Sequence, residues 1–236
     1  MRPQEAPVNR RRRSLVSVLL TFGVLAAFAP PAQAAIIVGD RFDGPVLRAA
    51  WRQINSTWRT TKGTARVNPS TVDPLTNIGY AVIGTKGLHK SQRTQMHVRL
   101  SPGKSNVGIV APYKNVENHL YCRVELTPAH PLGYLVIGSR LHGSEPNVEK
   151  EKAGLNITAG QIYLLVSERT RRIVRCSIYD GATLIDSIRY RMTAEEATAF
   201  GSGKKAGMRI RIVANGNRRD EDDGRSKFLD FRVSTI

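Results

Sequence analysis

Arginine is the residue whose type and spacing promise most chemistry in this chain. Arg99, Arg123, Arg175, Arg209 and Arg211 each alternate with apolar residues, and Arg189 and Arg191 follow the same pattern. A guanidinium is a planar fork of N–H donors that holds carboxylate, sulfate or phosphate in bidentate fashion. If these segments shared one sheet, the forks would form a basic floor. The other arrangement, with the arginines spread over two outer faces and paired to Asp and Glu, is equally compatible with the alternation. Tyr121, Tyr163 and Tyr179 lie in the same segments and offer flat surfaces for stacking. Gln95 and His97 accompany Arg99 along one segment, and Glu125 accompanies Tyr121 and Arg123 along another. Together these types could neutralise an acidic group and move a proton.

Other arrangements are weaker. There is no C-x-x-C, no His pair at i, i+4 and no G-x-S-x-G. His89, His130 and His142 fall in expected loops without partners. Asp220–Asp223, with Asn215 and Asn217 nearby, offers oxygens for calcium but lacks EF-hand spacing, and Arg218, Arg219 and Arg225 flank it. It reads as a self-neutralising charged loop. Glu149 and Glu151 would share a face if extended, yet they sit in a stretch that reads as a loop. No catalytic residue, metal site or cofactor is assigned.

The elements that must position these groups are short strands. Period-two alternation runs through Gln95–Leu100, Asn106–Ala111 (ending at Pro112), His119–Leu126, Gly133–Ile137, Gln161–Ser167, Ile173–Tyr179, Ala182–Tyr190, Met208–Val213 and Lys227–Val233. Turn signals separate them, among them Ser101-Pro102-Gly103, Thr127-Pro128, Ala159-Gly160 and Asn215-Gly216. Asp180-Gly181 between two alternating runs predicts a hairpin with a type I′ turn. One helix is expected where Thr193-Ala194-Glu195-Glu196 forms a capping box, with Gly201 as its stop. Many strands with few helices mean a sandwich or closed barrel, and the chain reads as all-β. Trp51 and Trp58 are expected to anchor the first strands to the core. Cys122 and Cys176 both occupy the apolar side of a strand; they could bridge across adjacent strands or lie buried as free thiols.

Residues 1–34 read as an export signal. Arg10–Arg13 precede the apolar run Leu15–Phe28, then Pro30-Pro31 and the small-residue site Ala32-Gln33-Ala34. Arg12-Arg13-Ser14-Leu15-Val16 also fits a loose twin-arginine pattern. The apolar run is short of the ~20 residues that span a bilayer, and no second such segment follows, so no transmembrane segment is expected after cleavage. The expected product, residues 35–236, is one secreted or cell-surface domain. The chain carries a net charge of +17, of which five arginines and one glutamate belong to residues 1–34. The basic balance therefore belongs to the domain and favours polyanions of any kind. Export, and the lack of a recognition helix or aromatic stripe, argue against nucleic acid as a physiological partner.

A family pattern runs through these elements. Gly39-Asp40-Arg41-Phe42-Asp43-Gly44 opens it, followed by Leu47, Trp51, Trp58 and Gly63. Val107–Asn115 and Asn118–Tyr121 form its middle, Tyr179-Asp180-Gly181-Ala182-Thr183-Leu184 comes later, and Phe228-Leu229-Asp230-Phe231-Arg232-Val233 closes it. The order resembles the concanavalin A-like lectin/glucanase superfamily, in particular its laminin-G-like jelly rolls. The resemblance implies a two-sheet antiparallel jelly-roll sandwich in which the opening D-x-F strand pairs with the closing F-x-D-F-x-V strand. Glycosidases of this fold carry E-x-D-x-x-E on one strand, and no such triplet is present here. Its polysaccharide lyases use Tyr, His, Arg and Gln on a groove floor, types that occur here without a residue-by-residue match. The expectation is an exported, non-catalytic domain that binds an acidic polysaccharide or other cell-envelope polyanion. Its groove residues would be Gln95, His97, Arg99, Tyr121, Arg123, Glu125, Arg175, Tyr179, Arg209 and Arg211. The alternative is a polysaccharide-degrading enzyme, lyase before hydrolase.

Overall fold

The computed structural model describes residues 35–85, 91–144, 147–212 and 222–236; the expected export signal, His89 and residues 213–221, including Asn215, Asn217, Arg218, Arg219 and Asp220, lie outside them. Period-two alternation becomes two stacked antiparallel sheets. In chain order the first strands are β1 (Ile36–Asp40), β2 (Trp51–Ile54), β3 (Thr57–Thr60), β4 (Ala65–Asn68), β5 (Ile78–Gly84) and β6 (Ser91–Arg99). Next come β7 (Ser105–Asn115), β8 (Asn118–Thr127), β9 (His130–Arg140), β10 (Asn147–Ala153) and β11 (Ile162–Thr170). The last are β12 (Ile173–Asp180), β13 (Thr183–Arg191), β14 (Lys205–Arg211), β15 (Lys227–Phe228) and β16 (Phe231–Thr235), with one helix, α1 (Ala194–Gly201), before β14.

The nine-stranded sheet runs β13-β12-β11-β6-β15-β4-β3, with β16 pairing β6 beside β15 and β1 pairing β16. The seven-stranded sheet runs β10-β9-β8-β7-β14-β5-β2. Met96 and Val98 of β6, Cys122 and Val124 of β8, Cys176 and Ile178 of β12, and Met208 and Ile210 of β14 all point between the sheets and are fully buried. Of the sandwich and barrel that the strand pattern allowed, this is the two-sheet jelly-roll sandwich that the family resemblance implies. The opening and closing strands meet as the resemblance implies, with Asp40 opposite Phe231. Trp51 and Trp58 are core residues: the Trp51 indole donates to Asp40 Oδ2 (2.8 Å) and packs edge-on to Phe231, while Trp58 packs against Phe228.

Four departures have local causes. The expected strand Lys227–Val233 is two strands, because Asp230 inserts its carboxylate into the ladder and accepts the His97 N–H (2.8 Å) while the Leu229 N–H reaches His97 O (2.9 Å). The Asp180 hairpin exists, but Asp180 pairs with Thr183, so Gly181-Ala182 are its central residues. Only Gly181 has positive φ (+55°), the pattern of a II′ rather than a I′ turn. Asn147–Ala153 is an edge strand and not a loop. Finally, Cys122 and Cys176 form a disulfide that joins β8 of one sheet to β12 of the other, across the sandwich and not between adjacent strands. The capping box forms as expected: Thr193 Oγ1 accepts the Glu196 N–H (3.1 Å) and Glu196 Oε2 accepts the Thr193 N–H (2.8 Å).

Candidate functional site

The disulfide decides where the arginines go. Cys122 and Cys176 face each other through the core, so their chain neighbours Arg123 and Arg175 must point outward from opposite sheets. The single arginine floor is therefore corrected. Gln95, His97 and Arg99 on β6, and Arg175 and Tyr179 on β12, belong to the outer face of the nine-stranded sheet. Tyr121, Arg123 and Glu125 on β8, and Arg209 and Arg211 on β14, belong to the outer face of the seven-stranded sheet. Tyr163 belongs to neither, since it is buried in the core and its hydroxyl accepts the Thr158 N–H (2.8 Å).

The seven-stranded sheet assembles the denser group. Register places Arg209 opposite Gly108 and Gly108 opposite Arg123, so the two arginines flank a residue with no side chain. A Cβ at Gly108 would stand 2.7 Å from Arg123 Cβ and 2.6 Å from Cys122 O, closer than packed atoms come. One row further, Tyr121 lies opposite Gly138, where any Cβ would collide with the tyrosine ring. Glycine at these two positions lets the Tyr121 ring lie flat and brings both guanidinium groups to it. The Arg209 guanidinium carbon is 4.6 Å from the ring centre and that of Arg123 is 5.9 Å away, both in cation–π range.

A polar chain links the group. Arg209 Nη1 donates to Asn106 Oδ1 (3.0 Å), Asn106 Nδ2 donates to Glu125 Oε1 (3.0 Å), and Glu125 is ion-paired with Arg123. The Nε atoms of Arg123 and Arg209 have no hydrogen-bond partner among the described residues, although the two residues are only 7 % and 2 % exposed. Burial, and then the neighbouring Arg209 charge, lowers the Arg123 pKa to about 10. At that value the Arg123 guanidinium still carries its charge at neutral pH. Around them Ile78, Tyr80, Val82, Val110, Tyr113, Tyr121 and Val136 form a second apolar cluster on the outer face.

His119 completes the wall. It packs against Tyr80, Tyr113 and Tyr121, with ring centres 5.3, 5.6 and 6.2 Å away. Its Nδ1 lies 3.2 Å from Asn115 O and its Nε2 3.2 Å from the Tyr80 hydroxyl. A carbonyl can only accept, so the proton sits on Nδ1 and Nε2 accepts from Tyr80. Burial, reinforced by Arg209, holds the ring neutral by lowering its pKa to about 3. At the rim Arg140, Lys205, Arg211 and Tyr134 are partly exposed. Tyr134 stacks on His130, with ring centres 4.2 Å apart, so His130 opens β9 with a partner and is not an isolated loop residue.

Glu149 and Glu151 do not share a face, contrary to what an extended strand would give. The β10 register shifts between Val148 and Lys150, and this bulge sends Glu149 and Glu151 to opposite faces. Glu149 accepts the Ser139 hydroxyl (2.6 Å) and acts on Tyr190, whereas Glu151 acts on Tyr134. Asp222 is fully buried and accepts from the Ser226 hydroxyl and from the Gly224 N–H (2.6 Å), so within the acidic loop it fastens backbone.

Sequence reasoning missed Asn106, Tyr80, Tyr113, His119 and Tyr134 as members of this group. Tyr80 sits in the run Ile78–Gly84, which is apolar on both faces and gives no period-two signal. His119 was in an expected strand, but its burial depends on Tyr80 and Tyr113 arriving from other strands.

No known protein family matches the chain, and no curated protein matches its sequence. Solved structures do match its fold. A GH43 protein, BlXynB from Bacillus licheniformis, superposes with a TM-score of 0.59 at 15% identity over 84% of this chain. This chain spans only 39% of that protein's length. The carbohydrate-binding module CBM66 from Bacillus subtilis gives a TM-score of 0.53 at 14% identity, covering 79% of this chain and 96% of the module. SCLam, a non-specific endo-beta-1,3(4)-glucanase from family GH16, gives 0.56 at 10% identity, covering 88% and 93%. The fold is the two-sheet β-sandwich that these glycoside hydrolase and carbohydrate-binding structures share, as the resemblance implies.

Proposed function

We propose that this protein is an exported, non-catalytic glycan-binding domain that acts at the cell envelope or outside the cell. Its ligand sits over the outer face of the seven-stranded sheet, where an anionic group on the glycan meets the Arg123–Arg209 pair. One observation carries this reading: two buried guanidinium groups keep unsatisfied Nε–H donors amid a wall of aromatic rings. A buried donor without an acceptor costs about 1–3 kcal/mol, and an incoming carboxylate or sulfate would remove that cost. Arg140, Lys205, Arg211 and Tyr134 frame the pair and meet the ligand first. Carbohydrate-binding modules and hydrolases both use this fold, so the fold does not choose between them. Glu125 supports the non-catalytic side, because its carboxylate is committed to Arg123 and Asn106.

Binding of the purified protein to immobilised neutral and acidic polysaccharides, at low and high salt, tests the reading. Retention of one glycan at high salt, weakened at least tenfold in Arg123→Met and Tyr134→Ala, is the expected result. Release of reducing or unsaturated ends from that glycan would overturn the non-catalytic assignment. Loss of all binding at high salt would leave bulk charge as the whole explanation.

A further inference from the structure

We infer that the outer face of the nine-stranded sheet carries a second, separate binding site, for a linear anionic polysaccharide, built from Arg59, Arg66, Lys227 and Arg99. Register puts these residues in one row. Arg59 of β3 lies opposite Arg66 of β4. Ala65 lies opposite Phe228, which sets the preceding Lys227 of β15 beside Arg66. Lys227 lies opposite Arg99 of β6. Ala65, Val98 and Phe228 point into the core and are fully buried, so the four cations all project to the outer side. Arg59, Arg66 and Arg99 are exposed and Lys227 is half-buried between them. With adjacent strands about 4.8 Å apart, the row offers a cation at each strand over roughly 14 Å.

Such a row is costly in the free protein. Like charges directly opposite one another on a sheet are destabilising, and the Lys227 pKa is lowered by the Arg66 charge first, then by burial, then by Arg99. Elsewhere on the same face Arg93 Nη1 lies 3.3 Å from Glu168 and His97 Nδ1 lies 3.0 Å from Asp230, while Arg175, opposite Arg189, is without an ion-pair partner among the described residues. None of the four row residues has an ion-pair partner among the described residues. Four cations aligned in one row across four neighbouring strands, none with an ion-pair partner among the described residues, fit a polymer that brings regularly spaced anions.

The surroundings select the class of polymer. Beside the row, Arg59, Thr61, Arg66, Asn68 and Gly224 line a shallow depression whose hydroxyl and amide groups suit sugar hydroxyls. No exposed large hydrophobic residue lies in the row, so nothing there would enter a bilayer. Nor does it include an aromatic ring on which a base could stack. The site is independent of the Arg123–Arg209 pair, which faces the other way.

The test is the affinity of the purified protein for heparin and polygalacturonate at low and physiological salt, with oligo-dT and phosphatidylglycerol vesicles as rival probes. The double variant R66E/K227E is expected to lose about tenfold or more in affinity, the sum of two exposed charge contacts. R189E/R191E changes charge equally at the far edge of the same sheet and is expected to lose much less. Thermal unfolding of each variant verifies that it is folded. Equal losses in both double variants would overturn the proposal in favour of net charge. Oligo-dT or vesicles binding as tightly as heparin would overturn the polysaccharide assignment. If Arg123→Met, and not R66E/K227E, removed heparin binding, the anion site would lie on the seven-stranded sheet; this inference would fall and the proposed function would stand.

Discussion

Two buried ionisable residues pull the pH dependence of stability in opposite directions. Asp222 is buried and its pKa is raised to about 7 by desolvation, against an ordinary value of 3.8. Between those values the folded chain holds a proton that the unfolded chain has lost, so this contribution to stability falls as pH rises towards 7. His119 is the reverse case, lowered from 6.5 to about 3 by burial and Arg209. Between those values the unfolded chain holds the extra proton, so this contribution is complete above pH 6.5 and is lost as pH falls towards 3. From about pH 4 to 6.5 the two slopes offset each other. Removing one exposes the other. Melting temperatures measured across this range should rise with pH in Asp222→Asn and fall with pH in His119→Gln, relative to the parent protein. Parallel curves for all three would show that neither group titrates as its burial dictates. Neither shift was legible in the sequence, where Asp222 is one of four clustered acids and His119 is one polar residue of an alternating strand.

At the scale of elements, α1 shows how a local signal becomes tertiary. Thr193 and Glu196 satisfy each other's backbone N–H as a capping box should. Glu196 is also 3 % exposed, and its Oε2 accepts the Tyr190 hydroxyl of β13 (2.6 Å). The cap thus ties the helix to the edge of the nine-stranded sheet. Thr193→Ala should cost about 1 kcal/mol, the usual value of an N-cap. Glu196→Ala should cost more, about 2–3 kcal/mol, because it strands both the Tyr190 hydroxyl and the Thr193 N–H. Urea unfolding of the two variants would rank them, and the opposite order would mean that Tyr190 finds another acceptor. The box was readable because its residues are three apart. Tyr190 was not, since nothing in an alternating strand says which helix will lie against it. Strand limits failed for a similar reason: Asp230 ends one ladder and β16 begins another through a bond to His97, 133 residues away in sequence.

For the whole molecule, the inter-sheet disulfide is the largest covalent constraint. It closes a loop of 54 residues, and the chain-entropy account gives such a bridge about 4 kcal/mol of stability. Reduction, or Cys122→Ala with Cys176→Ala, should lower the urea midpoint accordingly without changing the strand content seen by circular dichroism. Retained stability after reduction would show that packing of Leu120, Val124, Val174 and Ile178 alone holds the layers. The bridge also fixes which side each neighbouring arginine takes. It thereby divides the basic surface into an aromatic, half-enclosed pair on one sheet and an open row on the other.

Alternation and turn residues determined from sequence alone that this chain is all-β, a sandwich or closed barrel, since those signals act within a few residues or repeat with the pleat; the joined ends and the two-sheet form came from the family resemblance of the opening and closing motifs. The same signals established that Arg123, Arg175, Arg209 and the rest would point away from a core. They were silent on which sheet each strand would join, because pleat periodicity is identical on both layers. Only the tertiary structure decided that, through long-range pairing and the Cys122–Cys176 bridge. It gathered Arg123 and Arg209 around Tyr121, set Arg175 on the opposite side, and aligned Arg59 and Arg66 of two consecutive strands with Lys227 and Arg99 from distant parts of the chain.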